Sequence, residues 1–353
     1  MNRCSRCLTP DTRPDTQFVD GLCSGCIAYD KRSEVNWDER KEQLCELLES
    51  AKGKAEYDCI VPSSGGKDSH YQVLTLLDMG AKPLIVTCET CHLTSIGRRN
   101  IENLARYADT LEFAPRKDTR RKLNRLSLEL LGDISWPEHV LIHTYPFRVA
   151  VNAKIPLVCY GENPTNQYGG PTERQAEQKM TRRWVSEFGG FLGMRPADFV
   201  GMESITEEEM EAYTGPSDEE LDKAGVEVYF LGQFIPWDSR RNAGVAIAAG
   251  METELPCEAN WWPFENLDNA QTGIHDYLMY LKYGLSRCCS QLSVDIRSGH
   301  ISRSHALEIL KKREHLFPEK YAGVWCDEML DNIGMSRKEL DAIIEQWRKA
   351  NES

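Results

Sequence analysis

The stretch Tyr57-Asp58-Cys59-Ile60-Val61-Pro62, followed at once by Ser63-Ser64-Gly65-Gly66-Lys67-Asp68-Ser69, decides the fold. The first six residues read as an apolar strand, and a helical pattern runs on from Tyr71 to Met79. Two adjacent glycines allow a tight turn in which several N–H groups point one way. The helix that follows adds the positive end of its dipole, so the turn is built to hold an anion. Lys67 can neutralise phosphate charge, Asp68 can hold a magnesium ion against the same phosphate, and Ser64 and Ser69 can donate hydroxyl hydrogen bonds. Neither G-x-x-x-x-G-K-[ST] nor G-x-G-x-x-G is present.

Outward from this loop the chain alternates strand and helix. Gly80 stops the first helix. Buried strands follow at Pro83–Cys88, Thr110–Phe113, Pro156–Gly161 and Val226–Gly232, with helices expected over Ser95–Tyr107, Thr119–Leu131, Glu138–Ala153 and from Asp238 to Ala249. Such alternation predicts a parallel sheet covered on both faces, a doubly wound α/β fold. Ligands of such sheets bind beyond the carboxyl ends of the strands, which puts the 63–69 loop, Thr87–Glu89 and Gly161-Glu162-Asn163 on one rim.

Ahead of the sheet, Cys4-x-x-Cys7 and Cys23-x-x-Cys26 are fifteen residues apart. This is the spacing of a closed four-cysteine zinc site, and such an ion would replace the core that thirty residues cannot supply. Gly21-Leu22-Cys23-Ser24-Gly25 has the outline of a glutaminase nucleophile elbow, but Cys23 is needed by the knuckle and too little chain precedes it. Thirteen cysteines with no secretory leader point to a cytoplasmic protein with metal ligands and buried thiols rather than disulfides. Cys88-x-x-Cys91 and Cys288-Cys289 read as buried thiols.

Lys and Arg total 42 against 55 Asp and Glu, a formal charge of −13, which argues against nucleic acid as partner. No apolar run is long enough for a membrane span. The segment from about 163 to 225, with its acidic run Glu207-Glu208-Glu209, reads as an insertion that shapes a pocket or a partner surface. Residues 260–353 read as helical, with Ser302 and the Ser336/Glu339 box as helix starts. The expected division is a zinc-binding ribbon over 1–30, an α/β domain over 31–259 and a helical region over 260–353.

The loop resembles the SGGxDS pyrophosphate loop of the N-type ATP pyrophosphatases, the PP-loop superfamily. The whole chain further resembles the N-acetyl sugar amidotransferases of the WbpG/PseA-like branch. That resemblance rests on the paired CxxC, the SGGKDS loop, Gly161-Glu162-Asn163, and the run from Trp262-Pro263-Phe264-Glu265-Asn266 through Gly273-Ile274-His275-Asp276-Tyr277 to Asp295-Ile296-Arg297-Ser298-Gly299. Cys288-Cys289 departs from the small or polar residues expected of relatives.

The resemblance implies an ATP-dependent, AMP-forming enzyme that turns the acetamido group of a bacterial surface sugar into an acetamidino group, for lipopolysaccharide O-antigen or flagellin glycans. Such sugars are nucleotide-linked or free, and the nucleotide-linked form is expected here. Ser64, Gly65, Gly66, Lys67, Asp68 and Ser69 would hold ATP, with magnesium on Asp68 and structural zinc on Cys4, Cys7, Cys23 and Cys26. Lys67, Asp68 and Glu162 are the expected catalytic residues. Asn163 would contact the nucleotide, and His275, Asp276, Asp295 and Arg297 are candidates for the acceptor side. The nitrogen is expected from a separate glutaminase, guided by a β/α-barrel subunit resembling imidazole glycerol phosphate synthase, because no glutaminase nucleophile is evident in this chain. The alternative reading is a PP-loop tRNA-thiolating enzyme that would use Cys88, Cys91 and Cys159.

Overall fold

The computed structural model describes residues 1–352. A short hairpin, β1 (Phe18–Val19) and β2 (Leu22–Cys23), leads into the helix Ser24–Lys31. The central sheet holds β3 (Cys59–Ser63), β4 (Pro83–Cys88), β5 (Thr110–Phe113), β6 (Leu157–Tyr160) and β7 (Glu227–Phe230). All its pairs are parallel and the order is β5-β4-β3-β6-β7. The direction of winding reverses between β3 and β6, so the crevice lies beyond Ser63 and Tyr160. This is the doubly wound α/β fold expected from the sequence.

Side chains alternate through each strand, and both faces are buried. On one face Cys59, Val61, Ile85 and Cys159 meet Leu44 and Leu48 of the helix Trp37–Ala51 and Val73 and Leu76 of the helix Lys67–Asp78. On the other, Ile60, Leu84, Val86 and Val158 meet Phe147 and Ala150 of the helix Trp136–Ala153 and the Trp184 indole. Removing a side chain such as Leu76 from this sandwich would cost about 2–5 kcal/mol.

The segment after β6 forms short helices, among them Arg182–Phe188, Glu207–Met210 and Asp218–Ala224, around the buried side chains Trp184, Phe199 and Tyr213. Two residues of its acidic run are engaged: Glu208 pairs with Arg116, and Glu209 accepts from Thr119 while closing a capping box with Thr206. The C-terminal part is helical over Thr272–Tyr283, Arg287–Arg297, Arg303–Arg313, Cys326–Asn332 and Arg337–Glu352, with an unforeseen two-residue hairpin, β8 (Lys320–Tyr321) and β9 (Val324–Trp325). Leu278, Met329, Leu340 and Ile344 form its core together with Leu128 and Ile134 of the α/β part. Among the described residues no helix is long and apolar enough to cross a membrane.

Candidate active site

Gly65 sits at φ +77°, and a Cβ there would lie 2.7 Å from Ile101 Cγ1 and 2.9 Å from its backbone nitrogen. Only glycine lets the loop lie this close to the Ser95–Leu104 helix. The loop is braced from within: Gly65 N donates to Ser63 Oγ at 3.0 Å, and Ser64 N donates to Ser69 Oγ at 3.3 Å. Beneath it the His70 ring bridges Gly66 O (3.0 Å) and the Asn103 amide (3.1 Å).

Lys67 opens the helix with its side chain only 3% exposed. Its Nζ lies 2.5 Å from Asp68 Oδ2 and 3.0 Å from Glu265 Oε1. Burial opposes the charge, but the two carboxylates outweigh it and hold the lysine pKa well above its usual value. Glu265 is held below the ordinary carboxylate range because Lys67 and Arg287 outweigh its own burial. Its second oxygen accepts from Gln291 Nε2 at 2.8 Å, and Gln291 in turn accepts from the Trp261 and Trp262 backbone N–H groups. Asn242 donates to Asp68 Oδ1 at 3.2 Å. Glu162, from the end of β6, faces the same space. Burial, together with the nearby Asp68 charge, pushes its pKa up to about 7.

These groups surround a polar cavity of about 200 Å³, to which Tyr168, Asp268 and Arg287 also contribute. A second chamber of about 220 Å³ shares Ser64, Asn266, Asp268 and Arg287 with it as walls and is lined further by the ends of β3 and β4 and by Glu138, His139 and His275. Arg287 is fixed in the shared wall by a bidentate pair with Asp276, at 2.8 and 3.0 Å.

The acceptor-side candidates are thus dispersed. His275 faces the second chamber, with its Nδ1 2.8 Å from Asp133 Oδ1. Asp276 is taken up by its pair with Arg287. Asp295 is fully buried, with its oxygens taken by Arg240 (2.7 and 2.5 Å) and by the indole N–H groups of Trp261 and Trp262. Arg297 lies 3.7 Å from Cys7 Sγ and donates to Gln167 O at 2.6 Å. Asn163 caps the Pro164–Gln167 turn and holds Thr165 Oγ1 at 2.7 Å. Sequence reasoning quoted Glu265 but gave it no role, and it passed over Arg287, Asn242 and Gln291. Only their placement opposite Lys67 and Asp68 marks them.

The four knuckle cysteines are fully buried and their sulfurs lie within 4.8 Å of one another. Cys4–Cys26 and Cys7–Cys23 are 3.8 and 3.6 Å apart. A tetrahedral ion with metal–sulfur bonds of about 2.3 Å sets its ligands about 3.8 Å apart, so the cluster fits one. Thr9 N and Cys23 N point at Cys7 Sγ and Cys4 Sγ, as donors to thiolates do. Cys88 and Cys91 are different: burial pushes both thiols up to about 12, so they are protonated at neutral pH.

Residues 259–353 match the family model described as LPS biosynthesis protein WbpG-like, C-terminal domain. Over these residues the chain is similar to the WbpG-like family. The matched WbpG-like part supplies Glu265, Asp268 and Arg287 to the cavity at the phosphate-type loop, so it shapes the site rather than merely following it. NMN synthetase from Francisella tularensis is similar over 54% of this chain and 93% of its own, at 14% identity and a TM-score of 0.28. No curated protein matches the chain in sequence.

Proposed function

We propose that this chain is an ATP-dependent, AMP-forming amidotransferase that converts the acetamido group of an N-acetylated, nucleotide-linked surface sugar into an acetamidino group in lipopolysaccharide or related glycan synthesis. The observation that carries the reading is the buried Lys67 ammonium, poised between Asp68 and the WbpG-like domain's Glu265 over a polar cavity at the sheet's switch point.

An amide carbonyl is a poor electrophile. The acetamido oxygen attacks the α-phosphorus of ATP, a P–O bond forms, and the bond to pyrophosphate breaks. The loop from Ser64 to Ser69 binds the leaving pyrophosphate, and Lys67 balances its charge. A magnesium ion held by Asp68 would withdraw charge from the phosphates. Ammonia then attacks the imidate carbon, the C–O bond to AMP breaks, and the product leaves as the amidinium. The second chamber, lined by the ends of β3 and β4, is sized for the nucleoside. Arg287 in the shared wall orients what lies against it. Zinc on the four cysteines is structural in this reading. A separate glutaminase with a β/α-barrel ammonia-guiding subunit would supply the nitrogen. Cys88, Cys91 and Cys159 sit in three separate core clusters, which favours this reading over thiolation.

The test is incubation with ATP, magnesium, ammonium and a panel of free and nucleotide-linked N-acetyl sugars. AMP and a product about one mass unit lighter are expected, as an oxygen is exchanged for NH. ATP turnover to AMP with none of the sugars would refute it.

A further inference from the structure

Asp133 precedes the helix Trp136–Ala153, and His275 lies in the first turn of the helix Thr272–Tyr283. The fold brings the two together, with Asp133 Oδ1 2.8 Å from His275 Nδ1. We propose that they form a carboxylate–imidazole dyad in which His275 Nε2 takes the proton that the attacking ammonia must shed, with Asp133 as the positioning residue. The inference rests on the amidotransferase reading.

Geometry comes first. Asp133 is buried and its Oδ1 also accepts from Ser135 N at 2.9 Å, so the carboxylate is fixed. The His139 ring stands edge-on to the His275 ring, 5.1 Å between centroids, with its own Nδ1 3.8 Å from Asp133 Oδ2. A neutral His275 that donates its Nδ1–H to Asp133 carries its lone pair on Nε2. That atom has no hydrogen-bond partner among the described residues: Asp276 Oδ1 lies 4.0 Å from it and is already paired with Arg287. The His275 side chain is 17% exposed and lines the second chamber.

Basicity comes second. Burial disfavours a charged His275, but Asp133 outweighs it and raises the pKa above the ordinary imidazole value. His139 goes the other way, because there burial outweighs Asp133 and lowers the pKa to about 4. Of the two imidazoles on this wall, His275 is the one that readily accepts a proton. Place comes third. With pyrophosphate on the loop and the nucleoside in the second chamber, the α-phosphorus and the activated amide carbon lie beside the wall that both spaces share. Arg287 stands in that wall, and Asp276, the residue after His275, holds it there.

The step balances. The ammonia lone pair forms the C–N bond, and the new nitrogen is a cation with three hydrogens. It gives one proton to His275 Nε2. The electron pair left on nitrogen then expels AMP as the C–O bond breaks, and the amidinium forms. The imidazolium returns its proton to water. An adduct that keeps the proton can only expel ammonia again, so the base commits it to product.

Two variants of the full chain test this, His275→Gln and Asp133→Asn. Each is assayed with the sugar of the panel from which wild type makes most AMP. ATP–pyrophosphate exchange without ammonium reads the first half of the reaction, and product formation with saturating ammonium reads the second. Hydroxylamine is the third arm, since its adduct is a far stronger acid than that of ammonia and sheds its proton to water. For His275→Gln the expected result is a loss of about a hundredfold with ammonium, a loss of about tenfold or less with hydroxylamine, and exchange within about threefold of wild type. Asp133→Asn should show the same pattern with a loss of about tenfold with ammonium. Should one variant fail to fold, the other decides alone. Ammonium turnover within about threefold of wild type, exchange that falls as far as product formation, or equal losses with the two nucleophiles each overturn the dyad and leave the amidotransferase standing. Wild-type protein that makes AMP with no sugar of the panel overturns the parent reading, and the dyad with it.

Discussion

Glu265 Oε1 lies 3.0 Å from Lys67 Nζ, joining the C-terminal part of the chain to the first residue of the loop's helix across 198 positions. Both side chains are nearly buried, so the pair is worth more than a surface ion pair, and removing one partner leaves a charge stranded. Glu265→Ala is expected to lower unfolding stability by about 2 kcal/mol, since Lys67 keeps Asp68 as a partner. It should also lower kcat/KM for ATP, because Lys67 is then drawn to Asp68 alone. Glu265→Gln should recover most of the stability and less of the activity. Urea unfolding and AMP release measure the two; unchanged values in Glu265→Ala would show that the pair does not matter.

Asp68→Asn removes a carboxylate that touches Lys67 and Asn242 but remains partly open to the cavity. The expected structural loss is about 1–2 kcal/mol, that of one charge-assisted contact. The expected loss in AMP formation is far larger, several kcal/mol in transition-state terms, because the proposed magnesium ligand is gone. Near-normal AMP formation by the variant at limiting magnesium would remove Asp68 from the metal's ligands.

How much of this was legible in the sequence depends on the range of the interactions. The strand, loop and helix at 57–79 are local, and the sequence shows them. The strand itself starts at Cys59 because pairing with β4 begins there, while Asp58 turns its carboxylate onto Lys82 N. The helix expected from Glu138 begins at Trp136, since Pro137 is favourable in a first turn. The knuckle was readable because four cysteines at that spacing have few other uses. Glu265 was not, as nothing near it in sequence indicates a lysine almost two hundred residues away. Asp295 and Arg297 sit in one motif run, yet Asp295 is saturated by Arg240 and two indoles and Arg297 serves the knuckle. Sequence marks such residues as special without separating a buried anchor from a substrate contact.

Glu162 sets a pH dependence. Its carboxyl is pushed up to about 7 by burial and then by Asp68, against an ordinary value near 4.5. The folded state therefore binds more protons than the unfolded state between those values, and this residue's contribution to stability falls as pH rises through the window. Glu162→Gln, which does not ionise, should gain on wild type by about 2 kcal/mol between pH 4.5 and 7, after discounting for the partly exposed side chain. Urea midpoints at the two pH values check this. A difference between the two proteins that is flat with pH would mean that the Glu162 carboxyl keeps its ordinary value in the fold.

The knuckle should hold one zinc ion per chain. Cys4→Ser leaves three thiolates and should lose most of the metal, and with it the order of the segment that Arg297 and Arg303 hold by Cys7 Sγ, Cys7 O and Cys4 O. The variant should unfold at lower temperature and be cut by protease in the knuckle. Metal analysis of intact protein prepared without chelator checks the premise, and an absence of zinc there would refute it.

The last prediction concerns glutamine. The one G-x-C-x-G outline in the chain is Gly21–Gly25, and its Cys23 thiol is fully buried, 3.6 Å from Cys7 Sγ and within ligand distance of the other knuckle sulfurs. A nucleophile must meet its substrate, and a sulfur buried among three others cannot. Ammonia is mostly protonated at neutral pH, and an adenylated amide hydrolyses where water has access. If the nitrogen comes from a separate glutaminase, the chain should work poorly with dilute ammonium, better as pH rises and the free-base fraction grows, and not at all with glutamine alone. Adding a glutaminase partner that docks should restore glutamine use at low concentration. The assay is amidine formation by the purified chain with glutamine, with ammonium at pH 7 and with ammonium at pH 9. Efficient use of glutamine by the chain alone, in preparations shown free of other glutaminases, would overturn the separate-partner model and require a nucleophile other than Cys23.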